Sequence, residues 1–174
     1  MIIITKIKDS FSINKTLLEL IDKIPNNPLI EDSGDVISHT DYNLPKNFKR
    51  EYLNYFYKII EPYLKEICLK LHCSKFVIQN CWFQQYIKNN IHGWHTHPGT
   101  NFTNVYFVEL PHKSLATEIL GENNLDLSEG DLLTFPAFYF HRSPINLFNK
   151  RKTVISFNAD ICDYNNSKFQ LGSI

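Results

Sequence analysis

No stretch of this sequence is long and apolar enough to span a bilayer, which takes about 20 consecutive apolar residues. The isoleucine run Ile2-Ile3-Ile4 near the start is too short even for a signal peptide. The expectation is a cytoplasmic chain that stays where it is made and makes no use of a membrane. An excess of charge is also missing: 18 Lys and Arg balance 18 Asp and Glu, so nothing in the net charge favours nucleic acid or an anionic surface. The basic run from Lys46 to Arg50 is broken by Phe48 and adjoins a helical pattern, which reads as a solvated face. Cysteine is scarce and unpatterned. Cys68, Cys73, Cys81 and Cys162 have neither paired metal spacing nor the density of a disulfide framework, and read as reduced, mostly buried thiols. Repeats, low-complexity tracts and linkers are absent as well, so residues 1–174 parse as a single unit.

What is present describes a globular protein with a bulky core: 43% hydrophobic and 14% aromatic residues. Residues 2–7 predict a short strand. Ser12 or Asn14 is placed to cap a helix through about Ile24, with Leu17, Leu18, Leu20 and Ile21 on its apolar face. Residues 29–44 mix Gly, Asp, Ser and His and read as loop with one strand at most. Pro45 suits the first turn of a longer helix toward Leu71, whose stripe includes Phe48, Leu53, Phe56, Ile60, Leu64 and Ile67. Pro62 inside that pattern is expected to break or kink it. From Lys75 the sequence turns to β-branched and aromatic residues. Strands are expected at 75–88, 102–110, 115–120, 125–127, 131–135 and 152–161, with turns at Asn89-Asn90, 121–124 and 128–130. A helical part of about 1–74 followed by many short strands over about 75–162 predicts a mainly β sandwich or barrel backed by helices.

Chemistry concentrates in Trp94-His95-Thr96-His97-Pro98-Gly99 and, some forty residues on, Phe135-Pro136-Ala137-Phe138-Tyr139-Phe140-His141. Imidazoles separated by one residue on an extended backbone point to the same side. His95 and His97 can therefore face one ion, with a third ligand from a distant strand closing one face of its coordination sphere and leaving other positions open. His-x-His alone is also common among ordinary surface and core histidines. His39 and His112 fall in loops and His92 in a turn before Gly93; all three read as solvated, with a place at the mouth of a pocket as the alternative for His92. Trp82 reads as a core aromatic and Trp94 as a rim aromatic.

The run His95 to Val108 resembles the H-x-H-P-x-S-x-x-S-G-V-Y-Y-L signature of 2-oxoglutarate/iron(II)-dependent oxygenases, in the prolyl-hydroxylase-like branch of the double-stranded β-helix (jelly-roll) superfamily. Gly130-Asp131-Leu132-Leu133-Thr134-Phe135-Pro136 followed by His141 resembles that family's G-D-L-x-x-F-P-S-x-L-x-H. Lys152 to Asn158, ending Ser156-Phe157-Asn158, resembles its R-x-S-x-S-F-N. The blocks cover about half the chain. The resemblance implies a jelly roll of about eight strands with the N-terminal helices packed on one sheet. It also implies an oxygenase that uses Fe(II) and 2-oxoglutarate to oxidise a small-molecule or peptidyl substrate.

Carried over position by position, the resemblance makes His95 and His141 metal ligands and puts His97 where many relatives have a carboxylate. His97 is then either the third ligand or a group that supports the ligands or contacts substrate, with water completing the site. Three neutral imidazoles leave an ion one more positive charge, and imidazole also suits zinc, copper and nickel. Phe107 stands where the pattern often has tyrosine; Thr103 lies on the same face, and Tyr86 and Gln84 on the preceding strand are further candidates to contact the cosubstrate. Its far carboxylate calls for a cation on the last strand, and two registers compete. Strand alternation places Lys152 inside with Val154, Ser156 and Asn158, while residue type favours the forked guanidinium of Arg151. Two other classes stay open: a three-His cupin-type dioxygenase without 2-oxoglutarate, and a non-catalytic metal-binding jelly roll.

Overall fold

A computed structural model of the chain describes residues 1–123, 125–163 and 170–173. Strand β1 (Ile3–Lys6) leads into helix α1 (Ser10–Ile21), which buries Ile13, Leu17 and Ile21 at four-residue spacing. The expected caps do other work. The helix starts after Asp9, the Ser12 hydroxyl donates to the Asp9 carbonyl at 3.3 Å, and the buried Asn14 side chain accepts the Tyr106 hydroxyl at 2.6 Å. Residues 29–44 hold three two-residue strands instead of one: β2 (Leu29–Ile30), β3 (Val36–Ile37) and β4 (His39–Thr40).

Helix α2 (Glu51–Lys70) begins later than Pro45, whose carbonyl accepts the Phe48 N–H in a separate turn, and it runs unbroken through Pro62. Its buried stripe is Tyr52, Phe56, Ile60, Leu64, Ile67 and Cys68, and Pro62 lies on the opposite, exposed face. A proline inside a helix costs about 3 kcal/mol, whereas each fully buried apolar side chain contributes about 1.5–3 kcal/mol. Six of them outweigh one proline, and water can serve the carbonyl left without a donor.

The remaining strands are β5 (Lys75–Tyr86), β6 (His92–His95), β7 (Phe102–Glu109), β8 (Glu118–Ile119), β9 (Asp131–Pro136), β10 (His141–Ser143), β11 (Lys152–Cys162) and β12 (Gln170–Ser173). They form a seven-stranded sheet in the order β1-β9-β7-β11-β5-β12, with β4 also on β5, and a three-stranded sheet in the order β6-β10-β8. This is the expected jelly roll with helices on one face, though the two sheets hold more strands than the eight expected. The strand expected at 115–120 shrinks to β8 behind a 3-10 turn. None forms at 125–127, where the buried Leu127 donates its N–H to the Leu125 carbonyl and plugs the core from a turn.

Alternation along the large sheet divides the core. Phe83, Tyr106, Ile155 and Phe157 pack on the two helices, while Val105, Phe107, Leu133, Phe135 and Val154 form a second cluster on the other face. Two bulges adjust that alternation. Asn158 and Ala159 pair with Asn80 and Ile78, so Gln79 is an extra residue in β5, and Val108 is likewise skipped between β7 and β11. The first bulge lets Phe76 and Ile78 face the helices while Trp82, Gln84 and Tyr86 turn toward the small sheet.

Candidate metal centre

His141 pairs directly with His95 across β10 and β6, and the His97 N–H is held by the Ala137 carbonyl at 3.0 Å. The consequence is a cluster: one ligand atom each from His95, His97 and His141 lies within 4.8 Å of the others. Nitrogens bound to one ion at about 2.1 Å sit about 3–3.5 Å apart, so modest ring rotations close the set. Two rings are prepared for this. The His95 Nδ1–H donates to the Gly93 carbonyl at 2.7 Å, and the His141 Nδ1–H to the Tyr139 carbonyl at 3.0 Å. A carbonyl only accepts, so Nδ1 carries the proton in both rings and the Nε2 lone pair is free for a metal.

Burial, then the neighbouring His95, pushes His97 down to about 4 and His141 down to about 3. His95 is also lowered, chiefly by burial. All three are neutral at pH 7, the form a metal requires. The donor set therefore fits a divalent ion that accepts imidazole.

His92 is not solvated; of its two expected placements the structure shows the one beside a cavity. It opens β6, and three β6 residues from His95 span two β10 steps from His141 to Ser143, a bulge that brings His92 onto the face of His95. The rings stack at 3.9 Å, Gln84 Nε2 approaches His92 Nδ1 at 3.4 Å, and burial followed by His95 lowers His92 to about 4. His39 is buried too: its Nδ1 accepts the Asn27 N–H at 3.1 Å, well removed from any role as a solvated side chain. His112 stays exposed and caps the 3-10 turn.

Lys152 is 1% exposed, donates to the Ser143 hydroxyl at 2.7 Å and lies 5.1 Å from the centroid of the Tyr86 ring. No carboxylate among the described residues forms an ion pair with it, and burial pushes it down to about 7. Arg151 points elsewhere, to Glu109 at 2.7 Å and Asp22 at 3.0 Å. A narrow inner cavity runs from the imidazoles to Lys152, lined also by Gln84, Tyr86, Thr103, Val154 and Ser156. The Thr103 hydroxyl donates to Asn158 Oδ1 at 3.1 Å, and Asn158 in turn reaches His97. Phe107 is fully buried in the apolar cluster and does not line this cavity.

A second cavity of about 530 Å³ opens on the other side of the triad, between the β2–β3 hairpin and Trp82, Trp94 and His97. Trp82 stacks on His97 with centroids 5.8 Å apart, and the Arg142 guanidinium sits 4.7 Å over Trp94 at the rim. The hairpin also supplies a residue that neither strand periodicity nor motif spacing singles out. Asp35 Oδ1 accepts the Gly93 N–H at 2.6 Å and Oδ2 accepts the Ser33 hydroxyl at 3.0 Å. Partial burial pushes the Asp35 carboxyl up, but the Gly93 amide, the Ser33 hydroxyl and then His92 and His95 together hold it below its ordinary value. Asp32-Ser33-Gly34-Asp35 between two apolar pairs is nonetheless a legible hairpin signal.

No family model matches the chain, and no curated protein matches it. Solved structures do. A Pseudomonas putida prolyl-4-hydroxylase aligns with TM-score 0.62 and 12% identity over 93% of each chain. An oxidoreductase of the 2OG-Fe(II) oxygenase family from Burkholderia pseudomallei aligns with TM-score 0.65 and 12% identity, over 96% of this chain and 87% of that one. A Trichoplax adhaerens prolyl hydroxylase, solved with a peptide fragment of the hypoxia inducible factor oxygen degradation domain, aligns with TM-score 0.63 and 11% identity, over 92% and 83%. At these identities the likeness is one of fold.

Proposed function

We propose that this chain is an iron(II)- and 2-oxoglutarate-dependent oxygenase acting on a peptidyl or small-molecule substrate. The observation that carries the proposal is the pairing of three neutral, converging imidazoles with a buried lysine that forms no ion pair with any carboxylate among the described residues, at the two ends of one cavity. The oxygenases that share the fold support it. In this reading His95, His97 and His141 hold the metal. When bound, iron and 2-oxoglutarate would supply the chemistry that activates dioxygen, the oxidant: one oxygen atom would go to succinate as 2-oxoglutarate loses carbon dioxide, and the other to the substrate. The chain's own residues position and exclude water. Lys152 and the Ser143 hydroxyl hold the far carboxylate, Thr103 and Asn158 steady His97, and Gln84 and Tyr86 wall the cavity. The 530 Å³ cavity between Trp82 and Trp94 takes the substrate; the peptide-bound relative supports a peptidyl one. The four free thiols support a cytosolic setting.

Anaerobic titration tests this. Fe(II) and 2-oxoglutarate added together should produce a weak visible charge-transfer band, absent with either alone and absent in His95→Ala or His141→Ala. His97→Asp should keep or strengthen Fe(II) binding. One observation favours a second reading, a three-His dioxygenase that binds its substrate directly: the ligand set has no carboxylate. Metal binding with no band and no binding of 2-oxoglutarate would select that reading.

A further inference from the structure

The triad lacks a carboxylate, yet one stands directly behind it. Asp35 Oδ1 accepts the N–H of Gly93, and the carbonyl of the same Gly93 accepts the Nδ1–H of His95, at 2.6 and 2.7 Å. Two hydrogen bonds thus connect a negative charge to the ring expected to bind the ion. The contact is built. The hairpin bearing Asp35 is docked on the start of β6 by a two-way backbone bridge between Val36 and Ile91, with N–H to carbonyl distances of 2.9 and 3.0 Å. Gly93 makes the approach feasible, because a Cβ there would lie 3.2 Å from Asp35 Oδ1. Ser33 fixes the other carboxylate oxygen.

We propose that Asp35 is the anionic positioning residue of the metal centre, returning from behind His95 the charge that three neutral imidazoles omit. This rests on the metal-binding reading above. When the His95 Nε2 lone pair is drawn toward a cation, positive charge develops on the ring and its Nδ1–H. A carboxylate two hydrogen bonds away stabilises that charge and fixes the backbone that orients the ring, as outer-shell partners of metal-bound histidines do. It does so without occupying a coordination position.

Asp35→Asn is isosteric and can still accept the Gly93 N–H, so it removes the charge and keeps the geometry. Co(II) is the probe, titrated into the metal-free protein. Asp35→Asn should bind about 10-fold or more weakly, within the 10- to 100-fold range typical of outer-shell losses. Its absorption spectrum at saturation should match wild type, because the ligands are unchanged. The metal-free protein should remain folded at the titration temperature, with melting lowered only by the lost charge. Gly93→Ala keeps the charge but crowds Oδ1, and should also weaken binding. Wild-type Co(II) affinity in Asp35→Asn would overturn the proposal while leaving the metal centre intact. Failure of the wild-type protein itself to bind Co(II) would instead remove the metal reading, and this proposal with it.

Discussion

At the scale of single residues, the titrating groups of the cavity make stability depend on pH in one direction. His92 and His97 are held at about 4 and His141 at about 3, below the ordinary 6.5. Between those values the unfolded chain binds more protons than the folded one, so stability falls as pH drops from about 6.5 toward 4. Urea midpoints of the metal-free protein at pH 7 and 4.5 should show the decline, and His141→Ala should flatten it. Lys152 behaves differently toward ligand. Sitting near 7 by burial, it should take up a proton when a carboxylate arrives, so 2-oxoglutarate binding at pH 7.5 should show heats that vary with the buffer's ionisation enthalpy. Lys152→Ala should weaken that binding by about 2–5 kcal/mol. Arg151→Ala should leave it unchanged and cost about 1 kcal/mol of stability or less, because its ion pairs are partly solvated. Normal binding in Lys152→Ala with loss in Arg151→Ala would reverse the assignment.

At the scale of elements, α2 and the segment before it carry two separable tests. Pro62 lies on the exposed face of a continuous helix, so Pro62→Ala should restore one backbone bond and stabilise the protein by about 1–3 kcal/mol in urea melts. A loss instead would mean that the ring packs usefully where it is. Asp41 works the opposite way. Fully buried, it accepts from Arg50 Nε at 2.9 Å, the Tyr52 hydroxyl at 2.7 Å and the Phe83 N–H at 2.9 Å, tying the end of β4 to α2 and β5. Asp41→Ala removes the anionic partner of Arg50, which keeps its backbone carbonyls, and takes the acceptor from the buried Tyr52 hydroxyl and Phe83 N–H. It should cost about 3–5 kcal/mol. Strand parity in β11 is legible in the order of residues: Ile155 and Phe157 face the helices, and Lys152, Val154 and Ser156 the cavity, as alternation requires. The placement of His92 is not legible in that way. Its face is set by a bulge that includes Gly93; a glycine marks where a bulge can form, but not which neighbouring side chain it turns inward.

For the whole molecule, the two apolar clusters share the large sheet, one on each of its faces. Neither can be exposed without stripping the sheet that supports the other. Loss of near-ultraviolet signal from Trp82, packed beside His97, should therefore coincide with loss of far-ultraviolet signal from helices and strands in one transition. Two separated transitions would instead show that the helical part and the sandwich unfold independently. The same architecture explains the position of the centre. The small sheet carries His95 and His141 on paired strands, the large sheet closes the cavity with Lys152, and the hairpin brings Asp35 to the back of His95.

The sequence by itself determined the change from helical to strand periodicity at Lys75, the shared side of His95 and His97, and the alternation of β11 that allows only one of Arg151 and Lys152 to point inward, without choosing between them. These follow from local geometry, whose periods of 3.6 and 2 are printed in the order of residues. Tertiary structure alone decided that His92 joins the imidazoles, that Arg151 is drawn away by Glu109 and Asp22, and that Asp35 reaches Gly93 from 58 residues earlier. It also decided that α2 tolerates Pro62. Each of those outcomes depends on which distant partner arrives at a given position, and contacts between distant segments leave no period in the sequence.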